Sequence, residues 1–242
     1  MVFGLRAVIE AIDAGNTIDK IFLKNDTTGD LARELMRKAK EHAIPVQRVP
    51  VEKLNRLTRK NHQGAIAFIS PVPYCDIEDV IAEKFDEGQV PFVIVLDGIT
   101  DTRNFGAICR TADCAGATAV LIPERGSASI TPEAVKTSAG ALFHLPVCRC
   151  RNLLDTIRIL KASGLSIVAA SEKAKQDYTG ADFKRPVAIV MGAEDVGISP
   201  QILRECDDIV FIPMLGNISS LNVSVAAGVM MYEAVRQRLQ VK

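Results

Sequence analysis

Ile209-Val210-Phe211-Ile212-Pro213-Met214-Leu215-Gly216-Asn217-Ile218-Ser219-Ser220-Leu221-Asn222-Val223-Ser224-Val225 is the stretch on which the reading of this chain turns. Ile209 to Ile212 is an apolar run of strand length that Pro213 stops, and Gly216 permits a turn. From Leu221 to Leu239 apolar residues return at helical spacing. A strand, a polar loop and a helix follow one another, which is how an α/β fold is assembled. The loop sets two hydroxyls and two amides at the strand–helix junction, beside the unpaired N–H groups of the helix's first turn. Such groups bind the edge of a neutral or cationic ligand.

Three plainer readings of the stretch are weaker. Ile209 to Met231 holds no charged residue, a membrane-span length, but Pro213, Gly216 and five Asn or Ser residues interrupt it, so no membrane helix is expected. Asn217-Ile218-Ser219 and Asn222-Val223-Ser224 fit the glycosylation pattern, which has meaning only in a secreted chain. A cap role for Ser219 or Ser220 is the third plain reading, and it would account for one serine and not for the cluster.

Working outward, elements alternate along the whole chain. The first segment reads helix 4–14, strand 20–23, helix 31–42, strand 46–49, helix 52–57 and strand 65–70, a small α/β sandwich. Pro71-Val72-Pro73 ends it, and an acidic helix at 76–88 precedes a new strand at 92–96, so 1–72 is expected as one domain, 73–90 as a linker and 91–242 as a second domain. That second part repeats strand and helix as a parallel sheet, where sites lie beyond the carboxyl ends of strands.

The chain has 242 residues, 48% of them hydrophobic and 24% charged, which suits a soluble globular protein. The start, Met1-Val2-Phe3-Gly4-Leu5-Arg6, lacks the features of a targeting segment, and a cytoplasmic protein is expected. Six cysteines without a CxxC pair read as reduced core thiols, with no metal site. Net charge is zero, yet residues 1 to 75 hold 12 Lys and Arg against 8 Asp and Glu. Arg48, Lys53, Arg56, Arg59 and Lys60, beside His62, make up most of that excess. A solvated helix face and a contact to a phosphate backbone are the two readings of this run.

Two further loops stand beyond strand ends. In Asp97-Gly98-Ile99-Thr100-Asp101-Thr102-Arg103-Asn104-Phe105-Gly106-Ala107-Ile108-Cys109-Arg110-Thr111-Ala112, Asn104 sits where a helix N-cap is expected. Arg110 follows two turns on, flanked by small and apolar residues, and wants an anionic partner. In Met191-Gly192-Ala193-Glu194-Asp195-Val196-Gly197, the glycines allow backbone to approach a ligand and hold Glu194 between them. There is no GxxxxGK[ST] loop, no GxGxxG and no GxSxG elbow, so nucleoside triphosphatase, dinucleotide and serine-hydrolase chemistries are not indicated.

These three loops, with Ser138-Ala139-Gly140-Ala141 between the first two, resemble in order and spacing the motifs of the SpoU/TrmH family. The resemblance implies an S-adenosylmethionine-dependent methyl transfer to a ribose 2′-hydroxyl of RNA. It also implies a C-terminal parallel-sheet domain with a deep trefoil knot, a homodimer, and no membrane association. The segment ending in His62-Gln63-Gly64-Ala65 resembles the small ribosomal-protein-like RNA-binding domain of some members, an arrangement typical of enzymes that methylate a guanosine of 23S rRNA. A tRNA target and a non-catalytic RNA-binding relative are the alternatives. Thr102-Arg103 stands where the motif often has Pro-His, and Phe105 where Leu is common, which bears on target choice.

By the same resemblance Arg110 is the base toward the ribose, or else holds its phosphate. Asn104, Glu194, Ser220 and Asn222 complete the catalytic set. Gly192, Ile212, Met214, Gly216 and Leu221 line the cofactor pocket. The uncharged run 212–225 suits a sulfonium, which a carboxylate would hold too tightly in the ground state.

Overall fold

Alternating side chains in β2 (Ile18–Lys24) decide the N-terminal unit, because Ile21 and Leu23 point to one face of its sheet and Phe22 to the other. The computed structural model describes residues 1–240, and the chain divides at Pro73/Tyr74 into two units. In the first, β2 joins β1 (Val2–Phe3), β3 (Val46–Val49) and β4 (Ala65–Ile69) in the order β1-β4-β2-β3. β2 and β3 are parallel, and β4 runs antiparallel to its neighbours. Helices α1 (Leu5–Asp13) and α2 (Asp30–Glu41) lay Val8, Ile12, Leu35 and Ala39 on the Ile21 face. α3 (Val51–Leu57) closes the other face, Leu54 packing on Phe22, Val49 and Ile66.

The expected linker at 73–90 is replaced by built structure. Asp76 caps α4 (Ile77–Asp86) by accepting the N–H of Glu78, and Ile77 and Ile81, one turn apart, are buried in the core of the second unit with Val93, Leu121 and Ile157. The backbone of Cys75 bridges to that of Cys148 at the edge of that unit's sheet, its N–H donating to the carbonyl of Val147 at 3.0 Å, and both Cys75 and Cys148 are free thiols. The apolar stripe of α4 needs a partner surface, and the second sheet supplies it.

That sheet is built from β5 (Phe92–Asp97), β6 (Ala119–Pro123), β7 (Val147–Cys150), β8 (Ser166–Ala170), β9 (Gln176–Asp177), β10 (Val187–Gly192) and β11 (Asp208–Phe211). Its order is β7-β6-β5-β10-β8-β11-β9, and all these pairings are parallel. The central strands are buried on both faces, which explains why they read as continuous apolar runs. The covering helices are α5 (Thr102–Cys114), α6 (Pro132–Thr137), α7 (Leu153–Ala162), α8 (Pro200–Leu203) and α9 (Val223–Leu239). The last two residues of the expected 91–242 domain lie outside the described residues. No helix among the described residues is long and apolar enough to cross a membrane.

α9 is anchored at its far end. Gln237 donates to the carbonyl of Ala181 (2.9 Å) and accepts from the N–H of Phe183 (3.0 Å), while Arg238 donates to the carbonyls of Phe183 and Val90. Its first turn is thereby fixed beside the loops that leave β5 and β10.

Candidate active site

β5 and β10 end side by side, Asp97 paired with Gly192, so the loops that follow them start at one point. Asp97 reaches across to accept the backbone N–H of Ser199 at 2.7 Å, pinning the far end of the 192–199 loop. Within that loop Gly197, at φ +69°, donates to the carbonyl of Ala193 at 2.8 Å. A Cβ on Gly192 would lie 2.3 Å from the backbone of Gly197 and Ile198, so glycine is required by the close return of the loop.

The turn presents Glu194 to the two other loops. One carboxylate oxygen, Oε1, accepts from Nδ2 of Asn222 (2.5 Å), from Nδ2 of Asn104 (3.3 Å) and from the backbone N–H of Val223 (3.1 Å). Asn222 Nδ2 also donates to Asn104 Oδ1 at 3.0 Å. Three residues expected as catalytic from separate loops therefore form one hydrogen-bonded cluster. The Glu194 charge sits at the N-terminus of α9, where the helix dipole favours an anion.

The expected cap of α5 is corrected. Asn104 lies inside the first turn of α5, and the N-cap is Asp101, which accepts the N–H groups of Arg103 and Asn104 at 2.8 Å each. The start three residues earlier leaves the Asn104 side chain to Glu194. α9 is capped by Asn222, whose Oδ1 accepts from Ser224 N–H at 3.0 Å, and not by Ser219 or Ser220.

Beside the cluster lies a cavity of about 250 Å³. Gly192, Glu194, Ile212, Met214, Ser220 and Leu221 line it, together with Met191, Ile198, Leu203 and Val223. Gly216 does not: it stands in the exposed part of the 213–222 loop. Arg110 does not either; it is exposed on α5 and makes no hydrogen bond or ion pair among the described residues. The uncharged run 212–225 faces a cavity that other loops make acidic, for Glu172 and Asp195 line it as well as Glu194. Apolar walls, free loop backbone and a glycine floor fit a nucleoside-type ligand held by packing and main-chain groups.

Ala170, Ser171, Glu172 and Lys173 form a further side of this cavity. They were missed as site residues in the sequence. The signal was available, since they follow β8 at the same carboxyl edge of the sheet.

Of the six thiols, Cys109 and Cys148 are buried, and burial pushes Cys148 up to about 12. Cys114 is exposed at the end of α5, against the expectation of core thiols throughout.

In the first unit a separate cleft is lined by Lys24, Thr27, Asn55, Arg59, Lys60, Asn61, His62, Gln63 and Gly64, with no carboxylate among them. Its walls are bonded together. The N–H of Gly64 donates to Nδ1 of His62 (3.0 Å), His62 Nε2 pairs with Asn55 Oδ1 (2.9 Å), and the N–H of Lys24 donates to the Gly64 carbonyl (2.8 Å). Arg48 braces the adjoining turn through the carbonyl of Asn25 at 2.6 Å, and Lys53 lies over the Phe22 ring.

Comparison with known proteins gives the following. Residues 91–232 match the model of the SpoU rRNA Methylase family, and residues 1–75 match that of RNA 2′-O ribose methyltransferase substrate binding. A Staphylococcus saprophyticus protein assigned by name to the TrmH family of tRNA/rRNA methyltransferases is 40% identical over 238 residues, 98% of this chain and 96% of that one. Among solved structures, the SpoU methyltransferase AviRb from Streptomyces viridochromogenes in complex with AdoMet aligns with TM-score 0.62 and 28% identity, over 99% of this chain and 90% of its own. An AdoMet-bound rRNA methyltransferase from Sinorhizobium meliloti aligns with TM-score 0.62 and 29% identity, over 97% and 85%.

Proposed function

Because the chain belongs to the SpoU rRNA methylase family, we propose that it transfers a methyl group from S-adenosylmethionine to a ribose 2′-hydroxyl of RNA, a guanosine of 23S rRNA being the favoured target. The observation that carries this reading is the Asn104–Glu194–Asn222 cluster set at the edge of the cavity. Similar proteins crystallised with AdoMet support the choice of cofactor.

Bound in the cavity, the cofactor supplies an electrophilic sulfonium methyl. Gly192, Ile212, Met214 and Leu221 hold it through backbone and apolar contact. Glu194 fixes Asn104 and Asn222; the second Nδ2 hydrogen and the open Oδ1 lone pair of Asn104 orient the ribose, while Asn222, whose amide is fully engaged, holds Asn104 in place, and Ser220 adds a hydroxyl at the same wall. A ribose hydroxyl is a weak nucleophile at neutral pH, so alignment and loss of its proton are what the protein must provide. Arg110 meets the ribose phosphate as a charged fork, or takes the proton itself against a solution pKa of roughly 13.

The first unit is the RNA-binding part on this reading: its basic, carboxylate-free cleft and its match to a substrate-binding model support that role. The second unit binds cofactor, carries the trefoil knot and dimerises. Leu215, Ile218, Val225 and Tyr232 are exposed on α9 and the loop before it, an apolar surface that suits a second copy of the chain. The cytoplasm is the compartment proposed.

The test is Arg110→Ala. It abolishes transfer of tritiated methyl to RNA while calorimetry shows cofactor affinity within about threefold of wild type; full transfer by the variant sinks the assignment.

A further inference from the structure

The side of the cavity that follows β8 is a hydrogen-bonded turn. Ser171 N–H donates to the carbonyl of Val210 (2.9 Å), tying the turn to β11, and Ala174 N–H donates to the carbonyl of Ser171 (3.2 Å). Lys173 N–H donates to Ser171 Oγ at 3.3 Å, so the lysine leaves from a fixed backbone. Lys173 is the one cation among the described residues lining the cavity, against the carboxylates of Glu172, Glu194 and Asp195. Glu194 is occupied by its three donors. The side chain of Lys173 makes no hydrogen bond or ion pair among the described residues.

The cofactor carries charge of both signs at its amino-acid end, besides its sulfonium. Acidic groups around the cavity favour the ammonium and the sulfonium, and repel the α-carboxylate. A carboxylate placed among them needs a counter-charge, and Lys173 is the residue that offers one. We propose that Lys173 binds the α-carboxylate of the cofactor's methionyl end and so makes the cavity select the whole cofactor over truncated adenosines. The inference rests on the cofactor reading above. The donated methyl is remote from this carboxylate, which the demethylated product keeps, so the contact is the same before and after transfer and acts on affinity, not on the chemical step.

Titration calorimetry on the full chain tests this with three probes: S-adenosylmethionine, S-adenosylhomocysteine, and 5′-methylthioadenosine, which lacks the amino-acid end. Lys173→Met is expected to weaken the first two together by about fivefold, the upper scale of an ion pair at an exposed rim, and to leave the third within twofold. Lys173→Arg restores most of the loss. Unchanged affinity for all three in Lys173→Met, or equal loss for all three, overturns the proposal. A wild-type chain that binds none of the three sinks the cofactor reading itself.

Discussion

Nδ2 of Asn222 donates a hydrogen bond of 3.0 Å to Oδ1 of Asn104, joining residues 118 positions apart in the chain. Glu194 closes the triangle by accepting from both amides and from the first N–H of α9. The carboxylate thus does three things at once: it sets the rotamer of each amide, fixes the β10 loop against α9, and places a negative charge on that helix's N-terminus.

Glu194→Gln keeps the shape and removes the charge, so the Gln amide presents its nitrogen or a weaker acceptor to two amides that both need one. Methyl transfer falls at least a hundredfold. The cluster is exposed, so stability falls by about 1 kcal/mol, which is roughly 2–4 °C in Tm for a chain of this size. Asn222→Asp retains the helix cap but sets a second carboxylate against Glu194, and it slows transfer as much. Kinetics beside thermal melts check both; a Glu194→Gln variant of wild-type rate contradicts the positioning role.

Gly192→Ala drives a methyl group into the backbone of Gly197 and Ile198. The loop must open, since backbone has no rotamer to yield, at a cost of about 1–3 kcal/mol. Loss of measurable cofactor binding with a lowered Tm is the expected pair of results. Retained affinity would show that the loop's close return is not what shapes the cavity.

Elements of the sheet were legible because β5, β6, β8 and β10 are apolar runs bounded by turn residues, and all three motif loops fall where the strand ends put them. β1 and β9 escaped notice, being two-residue strands held by backbone pairing without a side-chain pattern. α4 was placed correctly but taken for a linker, because burial of Ile77 and Ile81 depends on a surface that lies far along the chain. Asn104 and Asp101 are both good caps, and local sequence does not say which carries the helix start. In the structure Asp101 takes the cap and Asn104 bonds Glu194, a partner ninety residues away that local sequence does not reveal.

Glu233 gives a pH signature. Hydrogen bonds from Arg236, at 2.7 and 2.8 Å, hold its carboxyl below the ordinary range, overcoming burial, with Gln237 adding a further bond. A depressed folded pKa means that the stabilisation is complete above the unfolded value of about 4.3 and is lost as pH falls through the folded one. Glu233→Gln therefore lowers stability by roughly 1–2 kcal/mol at pH 7. The gap from wild type closes toward pH 3. Melts across pH 3 to 8 check this, and a gap that widens in acid contradicts it.

Arg59→Gln with Lys60→Gln removes two cations from the N-terminal cleft. RNA affinity falls about tenfold, and the slope of log affinity against log salt becomes shallower by roughly 1.4, the value for two phosphate contacts on a single strand. Cofactor affinity stays the same. Fluorescence anisotropy with a labelled single-stranded RNA at several salt concentrations reads both quantities; unchanged slope removes the cleft from the RNA path.

The most direct measurement is to incubate the full chain with methyl-labelled S-adenosylmethionine and unmethylated total RNA, then digest the RNA with alkali. Label on a ribose 2′-oxygen protects the adjacent phosphodiester and appears in an alkali-resistant dinucleotide, whose sequence maps the site. The expected result is such a dinucleotide containing 2′-O-methylguanosine from 23S rRNA, absent with Arg110→Ala. Label on a base, or none from a chain that binds the cofactor, contradicts the account.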